Sequence, residues 1–232
     1  LWFILDGPRK NRCSTWNISF MLIENKSALQ KLAEQFSTSA LERQRLSDYV
    51  GLLESWSQKI NLVSKADVKR ISETHIVDSL MFVNSGYIPH SGRLLDFGSG
   101  AGFPGIPIAI RRPDLHIVLL ESRRRRALFL EEVASLLELQ NVQVWCHRAE
   151  SLDLLEHELF DVVTARAVTS LPQLWQWASP LLRANGILVA QKGGDLQNEM
   201  LLLKKVFLGR CEVVPMRSDP SKDKKFVILS QK

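Results

Sequence analysis

Residues 95–105 read LDFGSGAGFPG, an apolar run that ends in an acid and then breaks into four glycines. Glycine lacks a Cβ, so it reaches left-handed backbone conformations and admits another molecule close to the main chain. The residues before the loop, Arg93–Phe97, read as a buried strand, and those after it, Gly105–Arg111, as a helix. A strand, a glycine loop and a helix in succession suit a parallel sheet, where ligands bind at the carboxyl ends of strands.

The pattern continues downstream. His116–Leu120, Val142–Cys146, Phe160–Thr164 and Ile187–Ala190 are short runs rich in Val, Leu and Ile. Between them, Ala127–Leu137, Leu171–Leu182 and Leu196–Phe207 carry helical spacing. This alternation predicts an α/β fold, a Rossmann-like doubly wound sheet covered on both faces. Cys211–Met216 and Phe226–Leu229 flank a polar loop with no helix between them, which predicts an antiparallel C-terminal hairpin at the sheet edge.

Upstream the period is helical. Leu29, Leu32, Ala33 and Phe36 form one stripe, and Leu46, Val50, Leu53 and Ile60 a second. Thr38 or Ser39 is placed to cap the longer helix, with Glu42 in its first turn. Ile71, His75, Ile76, Leu80 and Val83 mark a third helix, ended by Gly86 and Pro89. Residues 21–90 are therefore expected as a helical extension and residues 91–232 as the α/β domain. Residues 1–20 do not resemble the rest: apolar residues come first and Pro8-Arg9-Lys10 interrupts them, the reverse of a signal peptide. They are expected either to lie upstream of a natural start at Met21 or to form a poorly ordered extension.

Composition narrows the setting. A chain of 232 residues, 45% apolar and 24% charged, buries one sizeable core plus a small accessory unit. No apolar run approaches the roughly 20 residues that span a bilayer. Three cysteines without metal-ligand spacing fit a reducing, cytoplasmic setting and no metal site. A net charge of +5 fits a polyanionic partner such as nucleic acid.

The glycine spacing selects among nucleotide ligands. A dinucleotide fingerprint needs a third glycine where this chain has Phe103, and Pro104 follows. Glu121 nevertheless ends the second strand, where a carboxylate accepts both hydroxyls of a ribose. A ligand with an adenosine and no pyrophosphate fits better, which points to S-adenosylmethionine. A tight turn without ligand is the plain alternative.

The sequence LDFGSGAGFPGIPIAI at 95–110 does not stand alone. Phe160-Asp161 opens the fourth strand, Arg166-Ala167 closes it and Lys192-Gly193 follows the fifth. Together these resemble the ribosomal RNA small subunit methyltransferase G family, also called glucose-inhibited division protein B. The likeness runs from about Leu41 to the end, including Trp56 to Leu62 and His75-Ile76-x-Asp78-Ser79-Leu80. Gly102 to Pro107 is its most specific piece. The chain departs from the family pattern at Ser57, Thr74, Phe97 and Ala165.

The resemblance implies a class I S-adenosylmethionine-dependent methyltransferase fold with an N-terminal helical extension. It implies methylation of guanine N7 in a 16S ribosomal RNA loop near the decoding region. The partner is then 16S ribosomal RNA or the small ribosomal subunit, and a monomer is expected. By resemblance Gly98 and Phe103 contact the cofactor, Ala149 and Glu150 flank its adenine, and Arg166 closes the pocket. Gly100 lines the same crevice, Asp96 is placed to order the loop through backbone N–H groups, and Glu121 is placed on the ribose. Arg166 and Lys192 are the candidate catalytic residues. Four consecutive arginines, Arg123–Arg126, point in different directions around a helix start, so a solvated face is one reading. A family basic pair matches Arg125 and Arg126, which are the candidates for cofactor-side or RNA contact; Lys224 and Lys225, one of which matches a family arginine, are candidates for RNA contact. His75 and Asp78 share a helical face: they either fix the extension against the core or serve the site.

The chemistry is consistent with that reaction. Guanine N7 carries a lone pair and no proton, so alignment and charge management suffice and no general base is required. Amino-nitrogen methylases carry an Asn/Asp-Pro-Pro-aromatic segment after the fourth strand; here that place reads Ala165-Arg166-Ala167-Val168. C5-pyrimidine methylases need a cysteine after the fourth or fifth strand, and Cys146 and Cys211 lie elsewhere. A small-molecule methyltransferase and a cofactor-binding protein without activity remain as alternatives.

Overall fold

The computed structural model describes residues 30–32, 34–64, 71–152, 159–216 and 223–231. The expectations for residues 1–20, Met21, Leu29 and Ala33 lie outside them. Seven strands form one sheet in the order β3-β2-β1-β4-β5-β7-β6. They are β1 Gly92–Phe97, β2 Leu115–Leu120, β3 Val142–Trp145, β4 Phe160–Arg166, β5 Leu182–Gly193, β6 Arg210–Pro215 and β7 Lys224–Ser230. The first five pair in parallel, and β7 runs antiparallel to both β5 and β6. The order turns back between β1 and β4, so the loops after these strands flank the crevice where such sheets bind ligands.

Successive residues of a strand face opposite sides of a sheet, and this sheet is apolar on both. Leu94, Ile117, Val162, Val189 and Ile228 pack against the helical extension through Tyr49, Leu53, Ile76 and Phe82. Leu95, Val118, Val163 and Leu188 pack on the other side against Leu171, Leu174 and Leu203. That double burial is why the strands read as unbroken apolar runs rather than alternating ones.

The extension contributes α1, Ala40–Ser57, and α2, Val77–Val83, preceded by a π-helical turn at Ile71–Ile76. Ser39 caps α1: its hydroxyl accepts from the Glu42 amide at 3.2 Å, and the Glu42 carboxylate accepts from the Ser39 amide at 2.6 Å. Glu42 also binds Arg111 at 2.9 Å, which fixes α1 to α3, Gly105–Arg111. The remaining helices are α4 Arg124–Leu136, α5 Leu171–Ala178 and α6 Gln197–Leu203. Several boundaries differ from the periodicity: α4 starts at Arg124 rather than Ala127, β4 runs on to Arg166, and α6 ends at Leu203 rather than Phe207. The stretch Leu171–Leu182 leaves the α-helix at Ala178 and tightens into a 3-10 turn, Ser179–Leu181, containing Pro180. Strand β5 begins at Leu182 instead of Ile187, because a register irregularity opposite Phe160 lets Arg183, Ala184 and Asn185 join it exposed.

Candidate cofactor pocket and active site

The loop between β1 and α3 takes left-handed backbone angles at Gly98, Gly100 and Gly102, with φ of 70°, 60° and 98°. At Gly102 space matters as well as angle: a Cβ there would lie 2.8 Å from the Tyr49 hydroxyl and from the Ile106 side chain. The glycine therefore lets the extension close on the loop from behind. Tyr49 uses that access, donating a 2.6 Å hydrogen bond to the Ala101 carbonyl.

Two carboxylates hold the loop from below. Asp96 is fully buried; Oδ2 accepts from the Gly105 amide at 3.1 Å and Oδ1 from the Thr164 hydroxyl at 3.2 Å. Burial pushes its carboxyl up to about 6, against the downward pull of Ser99, the Gly105 amide, Thr164 and the Arg166 charge. Glu121, at the end of β2, accepts from Gly100 N at 2.9 Å through Oε2 and from Arg123 N at 2.7 Å through Oε1. A carboxylate offers about four lone-pair sites, so Glu121 retains capacity for further donors.

Above these groups lies a cavity of about 380 Å³, within the roughly 300–1,000 Å³ of small-molecule sites. Phe97, Gly98, Glu121, Ala149, Val168 and Trp177 are among its lining residues. The structure thus brings together Gly98, Glu121, Ala149 and Glu150 of the sequence candidates, with Gly100 bonded to one of them. Among the lining residues that sequence reasoning missed are Val168, Trp177, His147 and Arg148. His147 and Arg148 lie just after the end of β3 and were accessible to the rule that ligands bind at strand ends; Trp177 was not, because only tertiary packing brings α5 beside Phe97, 6.2 Å between ring centroids.

Of the other candidates, Arg126 reaches the lining and the rest sit apart from it. Phe103 is buried behind the loop, stacked on His75 at 5.0 Å and tilted against Tyr49 at 5.5 Å. Arg125 is exposed on α4. Arg126 lines the cavity and donates to the Asn61 carbonyl at 2.9 Å, beside Gly100. Lys192 donates to the Thr169 carbonyl at 2.6 Å and pairs with Glu199 at 2.7 Å, and Glu199 in turn accepts the Leu171 amide. These bonds brace the loop between β4 and α5 that carries Ala167 and Val168 into the cavity. Lys224 pairs with buried Asp78, and Lys225 binds Asp223 and the Gly194 carbonyl. Arg166 closes β4 and donates to His75 Nδ1, with Asp78 3.6 Å away.

A seven-stranded sheet in this order, entered by a glycine loop and a ribose-competent acid, is the class I S-adenosylmethionine-dependent methyltransferase architecture. The chain is similar to a solved putative S-adenosyl-L-methionine-dependent methyltransferase of Methanococcus maripaludis, with a TM-score of 0.57 at 12% identity over 79% of this chain and 92% of that one. It is likewise similar to the glycopeptide N-methyltransferase MtfA complexed with sinefungin, with a TM-score of 0.58 at 10% identity over 68% and 94%. At those identities the likeness is one of fold. The sequence comparison goes further: the family model described as rRNA small subunit methyltransferase G matches residues 42–223, and the chain belongs to that family. The ribosomal RNA small subunit methyltransferase G of Desulfitobacterium hafniense (strain Y51) is 38% identical over 80% of this chain and 78% of its own length. That of Roseiflexus castenholzii is 38% identical over 75% of each. Among the described residues, no helix is long and apolar enough to cross a membrane.

Proposed function

We propose that this protein methylates N7 of a guanine in 16S ribosomal RNA, near the decoding region, with S-adenosylmethionine as donor, acting as a monomer in the cytoplasm. The observation that carries this reading is the family match over residues 42–223, a span that takes in every residue lining the cavity. The residues fit the cofactor. Glu121 retains lone pairs for ribose hydroxyls, while Ala149, Val168, Phe97 and Trp177 offer apolar surface to an adenine. Gly98 and Gly100 let the methionine part approach the backbone. When bound, the cofactor supplies a sulfonium methyl group that a nitrogen lone pair displaces.

The protein's own contribution is alignment and charge. N7 has no proton to lose, so no side chain has to act as base. Asp96 and Tyr49 fix the loop from below and behind, and the Lys192–Glu199 pair braces the loop on the opposite wall. Arg166, at the carboxyl end of β4 and directly before Ala167 of the lining, carries a cation with a planar donor fork. Its fork suits a carboxylate, a phosphate or the guanine edge. Exposed Arg123, Arg124, Arg125 and Arg148 surround the cavity mouth and the adjoining helix start, where RNA phosphates are the matching partner.

The test is transfer of labelled methyl from S-adenosylmethionine to small-subunit RNA and to assembled small subunits, with RNA affinity followed across salt concentration. Phosphate-dominated binding weakens steeply with salt. Transfer to either substrate with that salt dependence supports the reading. Absence of transfer to both, with the cofactor bound, returns the chain to the small-molecule or inactive alternatives.

A further inference from the structure

Arg166 ends a strand of the catalytic sheet, yet the groups that hold it belong to the helical extension. Its Nη2 donates to His75 Nδ1, 91 positions earlier, and its Nη1 lies 3.5 Å from the His75 carbonyl oxygen. The guanidinium sits 5.6 Å from the centroid of Phe103, and Phe103 stacks on the His75 ring at 22°. Asp78, one helical turn beyond His75, is 2% exposed; its Oδ2 lies 3.6 Å from Arg166 Nη2. The same oxygen accepts from Gln191 Nε2 at 3.2 Å and pairs with Lys224. One buried residue of the extension thereby gathers the ends of β4, β5 and β7.

The chemistry of the contact defines the state of the ring. A guanidinium is always protonated and only donates, so the His75 nitrogen facing it has to accept. That places the ring proton on Nε2 and leaves the imidazole neutral. Asp78 is shared with Lys224, so its carboxylate faces two cations. The Arg166 charge also acts on Asp96 and Tyr49, and burial holds the Asp96 carboxyl up to about 6. Arg166 is thus fixed in direction by a neutral acceptor and by an acid that it shares with Lys224.

We propose that His75 is a positioning residue for methyl transfer: its neutral Nδ1 sets the direction of the Arg166 guanidinium, and the helical extension is thereby part of the active site. This rests on Arg166 serving the methyl-transfer site, as proposed above. His75→Ala and His75→Asn separate positioning from plain packing, because an asparagine carbonyl can accept where Nδ1 does. The alanine variant should lose kcat by about tenfold or more while cofactor and RNA affinities stay within about threefold. The asparagine variant should return to within about threefold of wild-type kcat. An alanine variant that is folded and keeps wild-type kcat overturns the proposal, as does an asparagine variant as slow as the alanine one.

Imidazole ¹⁵N spectra of the wild-type protein give a reading that needs neither activity nor variant stability at His75. The expected result is a proton on Nε2 and an unprotonated Nδ1 whose resonance moves in Arg166→Lys. A proton on Nδ1, or a resonance indifferent to Arg166, overturns the contact. If the wild-type chain transfers no methyl group to RNA, the proposed function fails, and the spectra still decide the His75–Arg166 contact.

Discussion

The Glu121 carboxylate accepts the amide hydrogen of Gly100 at 2.9 Å, joining the end of β2 to the loop that follows β1. Its second oxygen takes the Arg123 amide at 2.7 Å, and the residue also lines the cavity. One side chain therefore shapes the loop and faces the cavity.

Glutamine at this position has a single carbonyl oxygen, and its NH₂ would meet one of the two backbone N–H groups. Glu121→Gln is expected to fold and to weaken S-adenosylmethionine binding by about tenfold or more, the loss of a charge-assisted bond. A ligand that binds only the folded state raises its melting temperature by mass action. The wild type should show that shift with S-adenosylmethionine and not with NAD, and Glu121→Gln should show a reduced one. Equal wild-type shifts with the two ligands would contradict the cofactor assignment.

Arg125 and Arg126 are adjacent in sequence and differ in surroundings. Arg125 is exposed, whereas Arg126 is half-buried and bonded to Asn61 beside the glycine loop. Arg125→Ala should weaken RNA binding and lower the salt slope by about one phosphate contact, leaving cofactor binding intact. Arg126→Ala should lower cofactor affinity. Filter binding across a salt series and cofactor titration measure the two effects; identical behaviour of both variants would refute the division.

Asp96 gives a pH-dependent stability. Its carboxyl is raised from 3.8 to about 6 in the folded protein, chiefly by burial. The folded state then holds the proton more tightly than the unfolded chain. The stability contributed by this group is full below the unfolded value and is lost as pH rises through about 6. The loss is of the order of 3 kcal/mol. Asparagine keeps an oxygen for the Gly105 amide and has no proton to lose. The melting temperature of Asp96→Asn relative to wild type should therefore climb between about pH 4 and about pH 6.5 and level off above. A difference that stays flat across that range would contradict the buried, raised carboxyl.

Much of this arrangement was legible in the sequence, because the strands and the glycine loop are local features. Helix α3 spans Gly105–Arg111 as its periodicity predicts, and Ser39 caps α1 as its position before Glu42 suggests. The fates of the cations were not legible. Nothing in a linear sequence pairs Arg166 with His75 or Lys192 with Glu199, since these contacts depend on how helices pack over strand ends. For Lys224 and Lys225 a signal existed. Neighbouring residues of a strand face opposite sides, so the two lysines could not share one surface, and the structure sends Lys224 to Asp78 and Lys225 to Asp223. The π-helical turn at Ile71–Ile76 left no mark in the periodicity.

Arg166→Lys keeps the charge and removes the planar fork. Lysine cannot donate to His75 and present a second donor in the same plane. The variant should fold normally and lose methyl transfer by about tenfold or more, about 1.4 kcal/mol of transition-state stabilisation. A parallel fall in cofactor affinity would place the guanidinium on the cofactor carboxylate; a fall in rate alone would place it on the guanine. Near-wild-type transfer by the lysine variant would remove Arg166 from the site.

The central claim, N7 methylation of a guanine in 16S ribosomal RNA, is tested most directly by mapping N7-methylguanine in ribosomal RNA from cells with and without this gene. The expected result is one N7-methylguanine in 16S RNA near the decoding region that disappears with the gene and returns when the wild-type protein, but not Arg166→Lys at comparable levels, is resupplied. An unchanged set of N7-methylguanines in the two RNAs would contradict the account.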